Sequence, residues 1–299
     1  MELRVLRYFL AVAQAESISG AAQHLHVTQP TLSRQLMDLE AELGAKLLIR
    51  GRKVTLTEKG ALLRKRAQEI IELTDKASAE FLAPDEALGG EIHIGAGETD
   101  AMRLIAKAAV AFRRRYPLVR YRLHSGNAED ISEKLDKGLL DFGLMIAPPN
   151  LRKYDSIRLP ATDTWGLLMR KDSPLAKLAS IRPEDIWDAP LIGSHQRMVS
   201  GELSKWIGRD YGRLNVVATY NLIFNAALMV EEGLGYALCL DKLVSAAGSQ
   251  TMCFRPLEPP LESAISFVWK KDQVFSKSAE SFLLSLAERW GVQQAEPNG

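Results

Sequence analysis

Residues 19–40, SGAAQHLHVTQPTLSRQLMDLE, carry two helical repeats of apolar positions separated by only a few turn-forming residues. That spacing admits little besides two short helices joined at a tight turn. Ser19 is placed to cap the first, over 20–25, by accepting an orphan backbone N–H. His26-Val27 makes the turn. Thr28 caps the second helix, and Pro30 stands in its first turn, where a missing N–H costs nothing. Leu32, Leu36, Leu39 and Leu43 fall on one face, a stripe spaced for burial. The opposite face presents Pro30, Thr31, Arg34 and Asp38, with Ser33 on a flank and Gln29 at the N-terminal end. Short polar side chains and an arginine at a helix start suit base edges and phosphates in a DNA major groove. An ordinary amphipathic hairpin accounts for these 22 residues equally well; the residues on either side of them separate the two.

Charge does not decide the matter. The net charge of the 299 residues is +1, and residues 1–60 carry eight Lys/Arg against six Asp/Glu. A domain so weakly basic binds nucleic acid poorly as a monomer, so affinity has to come from paired subunits and from shape. The chain is long enough for two or three domains with proper cores. Its 46% hydrophobic and 25% charged content are those of a soluble globular protein. Its apolar runs are too short to cross a bilayer, and no signal-peptide pattern opens it, so the expected location is the cytoplasm, without membrane contact. Cys239 and Cys253 show neither metal nor redox spacing and fit a reducing compartment.

Leu6, Phe9, Leu10 and Ala13 place a supporting helix over 3–15. Gly44 ends the second helix of the pair as a C-cap glycine does. Leu47 to Ile49 and the alternation at 53–56 then read as a small hairpin with Arg50, Arg52 and Lys53 at its tip, where phosphates would lie. Three helices and a basic wing make a winged helix-turn-helix, which favours DNA.

Here the chain resembles the N-terminal domain of LysR-type transcriptional regulators. The resemblance is carried by Ala21-Ala22, Leu25, Val27-Thr28-Gln29-Pro30, Leu32-Ser33-Arg34, Leu39-Glu40, Leu43-Gly44, Leu47, Arg50 and Leu56-Thr57, over about sixty contiguous residues. Leu48 stands where the family usually has Phe, a benign core exchange. The wing 50–53 is one residue shorter than usual, which leaves open which of its cations meets a phosphate. The DNA-contacting set is then Thr28, Gln29, Pro30, Thr31, Ser33, Arg34, Arg50, Arg52 and Lys53, with Gln29 and Thr31 as base readers by resemblance.

Thr57 caps a long helix reaching about Leu82, in which Leu63, Ala67, Ile70, Thr74, Ala77 and Phe81 alternate steps of four and three. Such a seam either pairs with its twin, as the family's linker helix does, or packs on its own domain. A hinge over 83–90 separates it from an alternation of strands and helices beginning at Glu91, with two strands in 157–170 broken around Thr162-Asp163. That rhythm implies mostly parallel sheets with helices on both faces. The order, and the phrase EEGLGYAL at 231–238, resemble the family's co-inducer domain, whose fold is similar to periplasmic solute-binding proteins. The expected architecture is therefore α/β with an all-α winged helix-turn-helix in front: a DNA-binding domain at 1–58, a dimerisation helix at 59–82, and a co-inducer domain at 91–299. In that last domain, subdomain 1 takes 91–160 and 268–299, and subdomain 2 takes 161–267.

No enzyme motif appears. Gly95-Ala96-Gly97 follows a strand, but Glu98-Thr99-Asp100 breaks the dinucleotide pattern. Cys239 sits in an apolar run as a small hydrophobe, and a Cys239–Cys253 sensor pair is the minor alternative. In open α/β sheets ligands bind beyond the carboxyl ends of strands. Those places hold Thr99, Ser125, Asn127, Ser194, His195 and Asn221, the expected co-inducer contacts. Glu98 is out of keeping with a simple anion site: it either pairs with a cationic or hydroxylated part of the ligand or turns outward as a helix-start acid. Two functions remain, a ligand-responsive transcription regulator, and a solute-binding-fold module whose N-terminal helices mediate protein contacts. The resemblance favours the first. It implies double-stranded DNA with an inverted-repeat operator, a small and often carboxylated co-inducer, a homodimer or homotetramer, no cofactor or metal, and RNA polymerase as an open further partner.

Overall fold

Helical spacing of Val5, Leu6, Phe9 and Val12 makes α1 (Leu3–Ala15) amphipathic, and all four side chains are buried. The computed structural model describes residues 1–82, 88–146, 152–194, 198, 201–244 and 249–290. Residues 83–87 of the expected hinge, Pro148-Pro149, His195 and the tail at 293–299 lie outside the described residues. By internal contacts the chain divides into two units, Met1–Leu82 and Ala83–Gly299.

In the first unit α2 (Ile18–His24) is capped by Ser17, not Ser19. Ser17 has the extended backbone a cap needs (φ −153°, ψ 125°), and its Oγ accepts from Gly20 N at 3.1 Å. His26 turns the chain in the left-handed region at φ 54°, and Val27 N donates back to Ala22 O at 3.0 Å. α3 (Gln29–Glu42) begins at Thr28 with Pro30 in its first turn. Leu32, Leu36 and Leu39 are buried with Phe9, Ala21 and Ala22, about 1.5–3 kcal/mol for each leucine. Leu43 is 42% exposed instead, because the helix has ended there and Gly44 (φ 61°) redirects the chain. β1 (Leu48–Ile49) and β2 (Thr55–Leu56) pair antiparallel as the wing, with Leu48 in the core.

α4 (Glu58–Leu82) starts against that wing. Thr57 Oγ1 accepts from Gly60 N at 2.9 Å and donates to Lys46 O at 2.7 Å. Gly60 is required by close approach: a Cβ there would lie 2.1 Å from the Leu47 carbonyl oxygen. Ala67 and Ile71 are buried against Leu6, with Leu63 partly buried beside them. The first part of the expected seam thus belongs to the unit's own core, whereas Ile70, Leu73 and Phe81 are exposed.

In the second unit, β3 (Gly90–Ala96), α5 (Met102–Arg115), β4 (Val119–Ser125), α6 (Ala128–Asp136) and β5 (Phe142–Ile146) alternate, and β4-β3-β5 are parallel. β6 (Tyr154–Arg170) is next, then α7 (Pro183–Ile186), β7 (Leu191–Gly193), α8 (Glu202–Ile207), β8 (Val216–Thr219), α9 (Ile223–Glu231) and β9 (Tyr236–Leu240), with β8-β7-β9 parallel. β10 (Met252–Pro256), β11 (Glu262–Lys270) and α10 (Lys277–Trp290) complete the described elements. The strand order is β4-β3-β5-β11-β6-β9-β7-β8, with β10 on the other edge of β6.

Two expectations change here. β6 is one 17-residue strand, pairing with β11 through Thr164 and with β9 and β10 beyond it, so Thr162-Asp163 does not break it. Its ladders, and that of β11 with β5, are antiparallel, so the sheets are mixed. β11 also re-enters the first core early: Ile265 and Phe267 pack with Ile92, Phe142 and Phe282, ahead of the expected return at 268. The second core, around Leu167, Ile181, Leu191 and Leu238, lies beyond the crossing.

Candidate functional site

The start of α3 projects an uncommitted polar surface. Thr28, Gln29, Pro30, Thr31 and Arg34 are exposed and Ser33 is half-buried. Thr28 Oγ1 and Thr31 Oγ1 lie 2.7 Å apart, so these two hydroxyls fix one another and the helix start. Arg34 makes no hydrogen bond or ion pair with any described residue.

The three wing cations, grouped by sequence, are separated by their partners. Arg50 Nη2 lies 3.3 Å from the buried carboxylate of Glu40, and Lys53 is paired with Glu16. Among the three, Arg52 alone has no partner among the described residues. Glu40 is the organiser that pattern reading passed over as a family residue. Its Oε1 accepts from Leu47 N at 2.8 Å and Leu48 N at 3.2 Å, and its Oε2 faces Arg50 and Lys46. Burial alone would raise this carboxyl, but the two backbone donors and the two cations outweigh it and hold it below its ordinary value. Glu40 therefore ties the end of α3 to the first strand of the wing.

In the second unit, a cavity of about 100 Å³ opens between the two subdomains at the carboxyl ends of β3, β4, β7 and β8. Asn127, Ser194 and Asn221 line it together, alongside Gly97, Glu98, Gly126, Trp165 and Tyr220. Asn127 also caps α6, its Oδ1 accepting from Glu129 N and Asp130 N at 2.9 Å each. Ile131, Leu144, Ile146, Ile223, Leu240 and Leu243 give the cavity an apolar wall.

Two expected contacts are elsewhere. Thr99 is 7% exposed and outside the lining; its hydroxyl donates to the buried Asp163 carboxylate and accepts from Ala101 N at 3.1 Å. Ser125 ends β4 opposite Ala96 and is exposed, with its neighbours Gly126 and Asn127 lining the cavity instead. Glu98 does not turn outward: it crosses the cleft, and its Oε2 accepts from Ile223 N at the start of α9. Asp163 and Asp241 were missed. Asp241 Oδ1 accepts from Thr164 N at 3.0 Å, joining β9 to β6 at the crossing. Burial raises the Asp163 carboxyl, with Asp241 and Asp100 adding and the Thr99 hydroxyl and Lys242 opposing.

The cysteine pair does not form. Cys239 on β9 stands opposite Gly166 and Cys253 on β10 opposite Met169, on the two edges of β6. Two strand spacings, about 9–10 Å, exceed the reach of a disulfide. Burial pushes the Cys239 thiol up to about 12, against the reactivity of a sensor. Among the described residues no group of three or more His, Cys, Asp and Glu could hold a metal ion, and no helix is long and apolar enough to cross a membrane.

Two family models match this arrangement: the bacterial regulatory helix-turn-helix protein of the lysR family over residues 3–61, and the LysR substrate binding domain over residues 85–291. The Hca operon transcriptional activator HcaR of Escherichia coli (strain K12) is 31% identical over 297 residues, covering 97% of this chain and 98% of its own. An uncharacterized HTH-type transcriptional regulator of Bacillus subtilis (strain 168), YvbU, is 26% identical over 98% of this chain and 100% of its own. In fold, the crystal structure of CbnR, a LysR family transcriptional regulator, aligns with a TM-score of 0.77 at 21% identity, covering 97% of this chain and 99% of that one. CbnR complexed with its target DNA aligns at 0.75 and 21%, covering 96% and 99%. The chain belongs to the LysR family of transcriptional regulators, with a helix-turn-helix DNA-binding domain in its first unit and a substrate-binding domain in its second.

Proposed function

We propose that the first unit reads an inverted-repeat operator through Gln29, Thr31, Ser33 and Arg34, with Arg52 on a phosphate, and that the cleft of the second unit takes a small co-inducer against Asn127, Ser194 and Asn221. The observation that carries the DNA reading is Arg34: it is exposed and unpaired on the face of α3 opposite the buried leucines. Arg50 and Lys53 act here by shaping the wing, since each is already held by a carboxylate. The protein works by binding and not by catalysis, in the cytoplasm, with RNA polymerase as the partner through which occupancy of the operator would change transcription.

The same reading includes assembly. Ile70, Leu73 and Phe81 leave an apolar stripe on α4 (37%, 45% and 90% exposed) that a second α4 would cover. Val110, Leu118 and Leu123 are exposed on and near α5 and β4, and Phe224, Leu228 and Met229 on α9, which supports joining two dimers through the second units. Two paired recognition helices require half-sites spaced by whole helical turns. Footprinting on the DNA flanking the protein's own gene, with and without small metabolites, is the test. A protected inverted repeat whose extent changes with one metabolite is expected; protection of no defined sequence overturns the reading.

A further inference from the structure

Glu98 comes from the loop after β3 in one subdomain, and the N–H it binds belongs to Ile223, the first residue of α9 in the other. The N-terminus of a nine-residue helix is where a bound anion is best stabilised. In this chain that place is already filled from within, by a carboxylate on a side chain. A ligand carboxylate entering the cavity would meet that charge and find the donor at Ile223 taken.

The rest of the lining sharpens this. Among the described residues that line the cavity, Glu98 carries the only formal charge, and no Lys, Arg or His is present to balance it. Its Oε1 has no partner among the described residues, while its Oε2 is held by Ile223. Asn127, Ser194 and Asn221 supply neutral donors and acceptors, and Trp165, Ile131 and Leu240 supply apolar surface. Burial, with Cys239 and then Glu98 adding to it, pushes the Tyr220 phenol well above its usual value.

We infer that Glu98 is the specificity-determining residue of this cleft, and that it selects a small molecule with a cationic, hydrogen-bond-donating nitrogen on an apolar body while excluding carboxylates. The inference rests on the cleft being the co-inducer site, as proposed above. The ammonium group pairs with the unpartnered Oε1, and the apolar body lies along the wall.

The test uses the full-length protein and two probes of one shape and opposite charge, benzylamine and benzoate, measured by isothermal titration. Wild type should favour benzylamine. Glu98→Gln keeps an oxygen for Ile223 N–H but removes the charge, so the preference for benzylamine should fall by about tenfold with no gain for benzoate. Glu98→Ala vacates the helix start, and benzoate affinity should rise by about tenfold, reversing the preference. Thermal melting of both variants checks that they fold, and the near-isosteric Gln variant keeps the test alive if the Ala variant does not. A ratio of the two affinities that is the same in wild type and variants, including no binding of either probe to any of them, overturns the inference. The two readings separate through operator binding monitored by fluorescence anisotropy. If the preference switches but operator binding ignores both probes, Glu98 keeps its role and the co-inducer reading of the cleft falls. If the footprint responds to metabolites and the preference does not switch, the Glu98 assignment alone falls.

Discussion

Arg50, Arg52 and Lys53 are neighbours in sequence with one charge each, yet they differ in what a substitution should do. Arg52→Ala removes an unpaired surface cation, so it should weaken operator binding uniformly across sequences, reduce the salt slope by about 1, and leave stability unchanged. Arg34→Ala should cost about 1–3 kcal/mol in specific binding if it pairs a base, measured at matched salt. Binding as tight as wild type overturns its place in the groove. Glu40 lies beneath both effects. Glu40→Ala leaves the N–H groups of Leu47 and Leu48 without an acceptor, at about 1–3 kcal/mol each. Because the folded carboxyl is held below its ordinary 4.5, its contribution is present above that value and is lost as pH falls through and below it. Glu40→Gln should therefore flatten the acid limb of a thermal-melting series, and an unchanged limb would place the acid sensitivity elsewhere.

Along α4, neighbouring apolar residues have different neighbours. Ile71 is buried at 9% exposure against Leu6 of α1, whereas Ile70 and Leu73 face outward. Ile71→Asp should unfold the first unit, at about 3 kcal/mol or more, because a charge would enter its core. Ile70→Asp or Leu73→Asp should leave each chain folded but separate the proposed dimer and abolish operator binding with it. Light scattering alongside thermal melting distinguishes the two, and a Leu73→Asp protein that stays dimeric removes α4 as the pairing element. A heptad count from Leu63 to Phe81 finds the helix and its apolar content. It cannot tell that α1 takes Ala67, because α1 enters only through tertiary packing.

Across the whole molecule, two strands, β6 and β11, pass between the subdomains, and a buried acid, Asp163, lies where they pair. Thr162-Asp163 reads as a turn because a polar pair interrupts an apolar run. In the fold Asp163 continues the ladder opposite Ser263, and its charge is met by the Thr99 hydroxyl, 64 residues away in sequence. With its folded carboxyl raised above the ordinary 3.8, the native state holds the proton more tightly than the unfolded chain. Stability is then lost as pH rises from about that value through the raised one, and the cost persists at neutral pH. Asp163→Asn keeps an acceptor for Thr99 and should raise Tm at pH 7 by about 2–4 °C, with little effect at acid pH. A lower Tm at pH 7 would mean that the ionised form is needed for the crossing.

What local chemistry dictates was legible in the chain: Thr28 and Pro30 at the start of a helix, leucines at helical spacing, Gly44 where the backbone must turn left-handed, and apolar strands such as Phe142–Ile146 and Tyr236–Leu240. The resemblance to the family is carried partly by those same residues, and the loops that meet at the cleft follow from the alternation of strand and helix, which sets the strand ends. The fold alone decided where each polar side chain is directed. Thr99 turns to Asp163, Arg50 to Glu40 and Glu98 to Ile223, across separations of 64, 10 and 125 residues. A charge or hydroxyl buried away from water takes whatever partner the packing brings within hydrogen-bond reach, and that partner is a matter of three-dimensional closeness that no spacing along the chain encodes.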